Sequence, residues 1–229
     1  RFLASLLRIF LPFTGLILFA LAAISTGYFS SKVDELFLLM AFLGGAVLGM
    51  RWVSERVFSR DDDEALVLLP AQKRSELRFH VVIITALIVV GELIAQILKS
   101  GDPAPASEPV LLFPITLLVA ASLYRIGLIL RGFVDPGTED SPEPRNSTLM
   151  RVLQGFGTGA IVVAVVTPLL AAAGYFRAAD ALMPPYIMTL ALLGLVMALQ
   201  RFAADVYGVI TGQGVQAREK LLPVLFGLI

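Results

Sequence analysis

The sequence has no cysteine, one histidine and one tryptophan, and only 16% of its 229 residues are charged. Each shortage excludes a class of function. Without cysteine there is no disulfide framework, thiolate metal site or thiol nucleophile. A single histidine cannot build a histidine metal cluster, so neither a metal nor a cofactor is expected, and no catalytic constellation is in view. Basic and acidic residues balance at 18 each, and the clustered basic excess that binds nucleic-acid phosphates is missing. Soluble domains carry roughly 25% charged residues. A water-facing surface cannot be assembled from so few.

What is present is hydrocarbon. Hydrophobic residues make up 57% of the chain, the mean hydropathy is +0.84, and lipid is the expected solvent for most of the surface. A membrane-crossing helix takes about 20 apolar residues, and only a helix satisfies its own amides there. Six stretches qualify: Ile9–Tyr28, Leu36–Val57, Phe79–Leu98, Val110–Leu130, Val152–Phe176 and Tyr186–Ile210. The expected fold is therefore all-α and integral to the membrane, with six complete transmembrane helices in three tandem hairpins at about 1–58, 77–133 and 150–210. Residue 1 is Arg, and the apolar run 221–229 has only nine residues. The expectation is an internal fragment of a longer chain, ending in a truncated seventh helix.

The basic residues are distributed unevenly. Arg1, Arg8, Arg51, Arg56, Arg60, Lys73, Arg74, Arg78, Arg131, Arg145, Arg151, Arg201, Arg218 and Lys220 fall on one side of the predicted topology, against Lys32, Lys99 and Arg177 on the other. Cytoplasmic loops retain basic residues, which predicts that 51–78 and 131–151 are cytoplasmic. Gly27-Tyr-Phe29 and Gly174-Tyr-Phe176 end the first and fifth stretches, and Arg51, Arg125 and Arg201 recur 74 and 76 residues apart. Together these outline a repeat of about 75 residues, the size of a helical hairpin.

The candidate functional residues are few. Arg51, Arg125 and Arg201, beside Trp52, Tyr124 and Phe202, have the character of interfacial anchors, with long basic side chains reaching headgroups and aromatics lying in the interface belt. Arg51 with Glu55, and Arg201 with Asp205, have i,i+4 spacing. Glu92 is the candidate intramembrane polar site. It lies about 21 Å beyond Arg78 along a helix, at a different depth from Arg125, so no Glu92–Arg125 pair is expected. His80 opens the third stretch as an interfacial residue. The acidic run Asp61–Glu64 lacks the spacing of a calcium loop. Gly155-Phe-Gly-Thr-Gly159 lacks the lysine of a phosphate loop. Gly155 with Gly159, like Gly45 with Gly49, instead has the Gly-x-x-x-Gly spacing of helix packing.

Three segments carry a family likeness: Gly174-Tyr-Phe-Arg-Ala-Ala-Asp-Ala-Leu182, Leu190-Ala-Leu-Leu-Gly-Leu195 continuing to Leu199-Gln-Arg-Phe-Ala-Ala-Asp205, and Ala217-Arg-Glu-Lys-Leu-Leu-Pro-Val-Leu225. With Leu7-Arg-Ile-Phe-Leu-Pro-Phe-Thr-Gly15, they resemble the membrane region upstream of the pore in large, many-helix MscS-type mechanosensitive channels. The resemblance implies a homo-oligomer (a heptamer) in the bacterial inner membrane, surrounded by lipid, that releases ions and small solutes on hypo-osmotic shock. This chain would be its tension-sensing periphery, since the pore helix and cytoplasmic vestibule of that family are not in the sequence. The alternatives are a secondary transporter using Glu92 and a membrane assembly module.

Overall fold

A computed structural model of the chain describes residues 2–58, 70–100, 107–132 and 147–211. They form α1 (Phe2–Ser25), α2 (Ser31–Val57), α3 (Ala71–Ser100), α4 (Ser107–Arg131), α5 (Ser147–Ala172) and α6 (Phe176–Thr211), with no strand among the described residues. Five of these helices have the length and composition to cross a membrane: Ser31–Val57, Ala71–Lys99, Pro109–Arg131, Arg151–Ala172 and Phe176–Gln200. In α1 the apolar segment is the shorter Phe10–Ser25. The described residues are thus all-helical, and these apolar helices suggest a multi-pass membrane protein. Residues 221–229, 61–64, 139–145 and 218–220 lie outside the described residues.

Two boundaries differ from the sequence expectation. Much of 51–78 is helical, because α2 runs to Val57 and α3 begins at Ala71, two turns before Phe79. The polar residues Lys73, Glu76 and Arg78 therefore extend the helix beyond its apolar stretch, where water or headgroups can reach them, whereas Arg74 is buried against the bundle. At the other end of the bundle, α5 stops at Ala172 and α6 has already started at Phe176. Gly174 sets this tight turn with φ +89°. Its N–H donates to the Ala171 carbonyl, and the Tyr175 N–H donates to that of Leu170. This is the Schellman closure, in which a left-handed residue turns the chain back onto the last carbonyls. Gly27, after α1, has φ +64° and donates to the Ile24 carbonyl. The two Gly-Tyr-Phe tripeptides thus each turn the chain with a left-handed glycine at the same end of the bundle, although the Tyr28 N–H donates to the Thr26 hydroxyl and not to a helix carbonyl.

Pro184 and Pro185 do not break α6. Each deprives an upstream carbonyl of its donor, but Asp180 and Ala181, which carry those carbonyls, are exposed near the far end of the bundle, as are both prolines. The freed groups are solvated there at little cost.

Each helix packs antiparallel on the next, and the most extensive contact is between α4 and α5, across the boundary between the second and third expected hairpins. Glycine creates it. A Cβ on Gly127 would lie 2.7 Å from the Gly157 carbonyl oxygen, and one on Gly157 would lie 2.7 Å from the Arg131 nitrogen. The two backbones approach with no side chain between them. Ala160 and Ala164 continue this buried surface along α5, and Val119, Ala120 and Leu123 continue it along α4. Helix α6 returns to touch α2, where Gly194 faces Val53 and Val57. Helices α2 to α6 therefore close into a ring, with α1 against the outer side of α2. There the Phe13 ring occupies the place of a side chain at Gly45.

Candidate functional site

The ends of α2 and α4 and the starts of α3 and α5 lie together and form the basic end of the bundle. Arg51 Nε bonds Glu55 Oε1 at 3.0 Å along α2, as the i,i+4 spacing allows. Arg125 Nη2 reaches Glu76 Oε1 at 2.6 Å, tying α4 to α3. Lys73 Nζ approaches the other Glu76 oxygen at 3.3 Å. The Arg78 guanidinium donates to the Phe58 carbonyl at the end of α2, one of the acceptors left open where a helix stops. Arg74, 2% exposed, is buried at the same end.

The sequence-derived candidates do not form one cluster. Arg51 and Arg125 are exposed on different helices, with Tyr124 exposed and Trp52 and Phe202 half-buried. The side chain of Arg201 lies outside those described. Glu92 is exposed on α3, about 24 Å along the helix from Glu76. It has no ion pair among the described residues. His80 packs edge-on against Phe79, with ring centroids 5.5 Å apart, and its Nδ1 is buried without a hydrogen-bond partner among the described residues. No group of His, Cys, Asp or Glu among the described residues has metal-binding geometry.

The candidate packing glycines also separate. Gly45 meets Phe13, and Gly159 meets the Tyr186 ring from α6, whereas a Cβ on Gly49 or Gly155 would find nothing within 4 Å. The Tyr186 hydroxyl passes over Gly159 and donates to the Phe156 carbonyl. Sequence reasoning overlooked Glu76, Gly127, Gly157 and Tyr186. A signal for Glu76 was available, because Lys73-x-x-Glu76 reads as a helical pair once α3 is extended upstream.

Inside the ring, toward the basic end, is a cavity of about 100 Å³. Val57 of α2 and Phe58 just after it, Ile84 of α3, Leu130 of α4, Leu153 of α5 and Leu190 of α6 represent its walls. The two hydroxyls at its wall are already committed to their own helices: Ser54 Oγ donates to the Arg51 carbonyl and Thr85 Oγ1 to that of Val81. The interior therefore presents hydrocarbon only. The chain matches no family model, no characterised protein and no solved structure.

Proposed function

We propose that this chain is the tension-sensing peripheral membrane region of an MscS-type channel that passes ions and small solutes on hypo-osmotic shock, working as a homo-oligomer in a bacterial inner membrane. In this reading its six helices cross as three hairpins, the basic end faces the cytoplasm, and no catalytic role is assigned. The family likeness of the quoted segments motivates the proposal. The structural observation that supports it is the position of α1. This helix packs on the outside of α2 rather than within the ring, and Phe10, Leu11, Leu18 and Phe19 are each at least 60% exposed.

Tension favours whichever state occupies more membrane area, in proportion to the difference between the states. A helix held at one side can tilt away and enlarge that area while the Gly127–Gly157 contact keeps the ring closed. Each change of tilt costs little, and repetition around an oligomer multiplies the total. Arg51 and Arg125, fixed at headgroup level, define the pivot from which tilt is measured. Pressure-clamp recordings of the whole protein test this. Arg51→Gln with Arg125→Gln is expected to shift the tension for half-opening, and an unchanged threshold contradicts the anchoring role. The transporter reading gains nothing from the geometry, because Glu92 is exposed on α3 and the ring interior is apolar.

A further inference from the structure

The chain has one histidine, and the fold seats it beside the ion pair that ties α3 to α4. His80 lies one helical turn after Glu76 on α3, so the two share a face. Glu76 already serves two cations: Oε1 takes Arg125 of α4 at 2.6 Å, and Oε2 takes Lys73 at 3.3 Å. Glu76 and Arg125 both act electrostatically on the His80 ring. Elsewhere around α3, the Arg78 guanidinium is turned to the Phe58 carbonyl, and on α2 Arg51 and Glu55 engage one another, with Arg56 next in the chain. The His80 Nδ1 is buried with no hydrogen-bond partner among the described residues. A neutral imidazole can leave that nitrogen bare, because one of its two nitrogens carries no proton, whereas an imidazolium has an N–H on both. The seat therefore fits the neutral ring. A second proton would place a charged, unpaired donor in a buried position, which is costly, and the acceptor that shares its helix face is Glu76.

We propose that His80 is a pH-sensitive release for the contact between α3 and α4. Once protonated, the ring draws the Glu76 carboxylate toward its own helix and repels the Arg125 guanidinium on the next, and both effects weaken the tie between the helices. The tie is weak enough to be overcome, since the Arg125 and Glu76 side chains are 55% and 21% exposed and solvent screens their attraction. Imidazole is the side chain whose ordinary range places this change between about pH 5 and 8, and a carboxylate between two cations stays ionised there. The release does not depend on the channel reading. Only the side from which the proton arrives, the cytoplasm, rests on the proposed topology.

The test uses the whole protein in detergent micelles, where topology plays no part. Spin labels on Ser75→Cys and Leu128→Cys, exposed on α3 and α4, report the separation of the two helices in a chain with no natural cysteine. As the pH is lowered from about 8 to about 5, the distance distribution is expected to lengthen or broaden, with its half-change inside that window. His80→Gln, which stays neutral, is expected to keep the distribution of the higher pH throughout. A natural protein whose distribution does not change, or a folded His80→Gln variant that changes equally, overturns the release. Because the chain has a single imidazole, NMR of ring-labelled histidine follows its protonation directly and serves if His80→Gln does not fold. Arg125→Gln removes a neighbouring cation and Glu76→Gln a neighbouring anion. The pH of half-protonation is therefore expected to rise by about half a unit in the first and to fall by a similar amount in the second. Identical titrations in all three proteins overturn the coupling on which the release depends.

Discussion

Glu76 and Arg125 are 49 residues apart in the chain and 2.6 Å apart in space. Arg125 is the residue whose function changes most between sequence and structure. As an isolated cation on an apolar helix it has only headgroups to reach, whereas in the fold it also joins α3 to α4. Its side chain is 55% exposed and that of Glu76 is 21% exposed, so solvent screens much of the attraction. Glu76→Gln or Arg125→Gln should each cost about 1 kcal/mol or less, a lowering of roughly 2–4 °C in Tm for a protein of this size. The double variant should cost less than the sum, which detergent melts of all four proteins can measure. Strict additivity would mean that the two groups do not interact. Glu92 is the opposite case. An exposed carboxyl at hydrocarbon depth is a burden of up to about 3 kcal/mol when ionised, so Glu92→Gln should leave Tm unchanged or raise it. A marked loss would mean that Glu92 has a partner in the assembled protein.

At the scale of helices, most spans could be read from the sequence because an apolar run of sufficient length has few alternatives. The turns were only partly legible: Gly27 and Gly174 stand where the first and fifth stretches end and both adopt positive φ, but the sequence starts the sixth stretch at Tyr186, ten residues after α6 begins at Phe176. Which pair packs most extensively was not legible. Apolar helices in lipid share a composition, and proximity in the chain favours the pairings α1 with α2, α3 with α4 and α5 with α6. The closest contact instead joins α4 to α5, through a glycine on each. The Gly-x-x-x-Gly pattern drew attention to Gly155 and Gly159, while the backbone contact uses Gly157 between them. A spacing rule identifies the helix but not the face that a neighbour will cover. This gives a paired prediction. Gly157→Ala and Gly127→Ala should destabilise by about 1–3 kcal/mol through overpacking, whereas Gly155→Ala should stabilise by up to about 1 kcal/mol through helix propensity. Equal effects at Gly155 and Gly157 would contradict the packing. At the turn, Gly174→Ala should cost about 1–2 kcal/mol because a Cβ is disfavoured in the left-handed region, and thermal unfolding against Gly155→Ala as control would show it.

For the whole molecule, the uneven distribution of charge was visible from the outset, and the structure shows how it is arranged. Some cations at the basic end are committed: Arg51 to Glu55, Arg125 and Lys73 to Glu76, and Arg78 to the end of α2. Arg131 and Arg151 are exposed and form no ion pair among the described residues, and the apolar cavity lies toward this same end. That cavity could not be read from the sequence, because its walls come from five helices and no one of them carries a distinctive pattern. All of these roles depend on one claim, that the basic end and the Gly-Tyr-Phe turns lie on opposite sides of a membrane. The natural absence of cysteine makes single-cysteine labelling direct. With Ser30→Cys, Arg177→Cys, Lys73→Cys and Arg131→Cys made one at a time, a membrane-impermeant maleimide added to intact cells should label positions 30 and 177. Positions 73 and 131 should react only after permeabilisation. Labelling of all four positions from the same side would contradict the account.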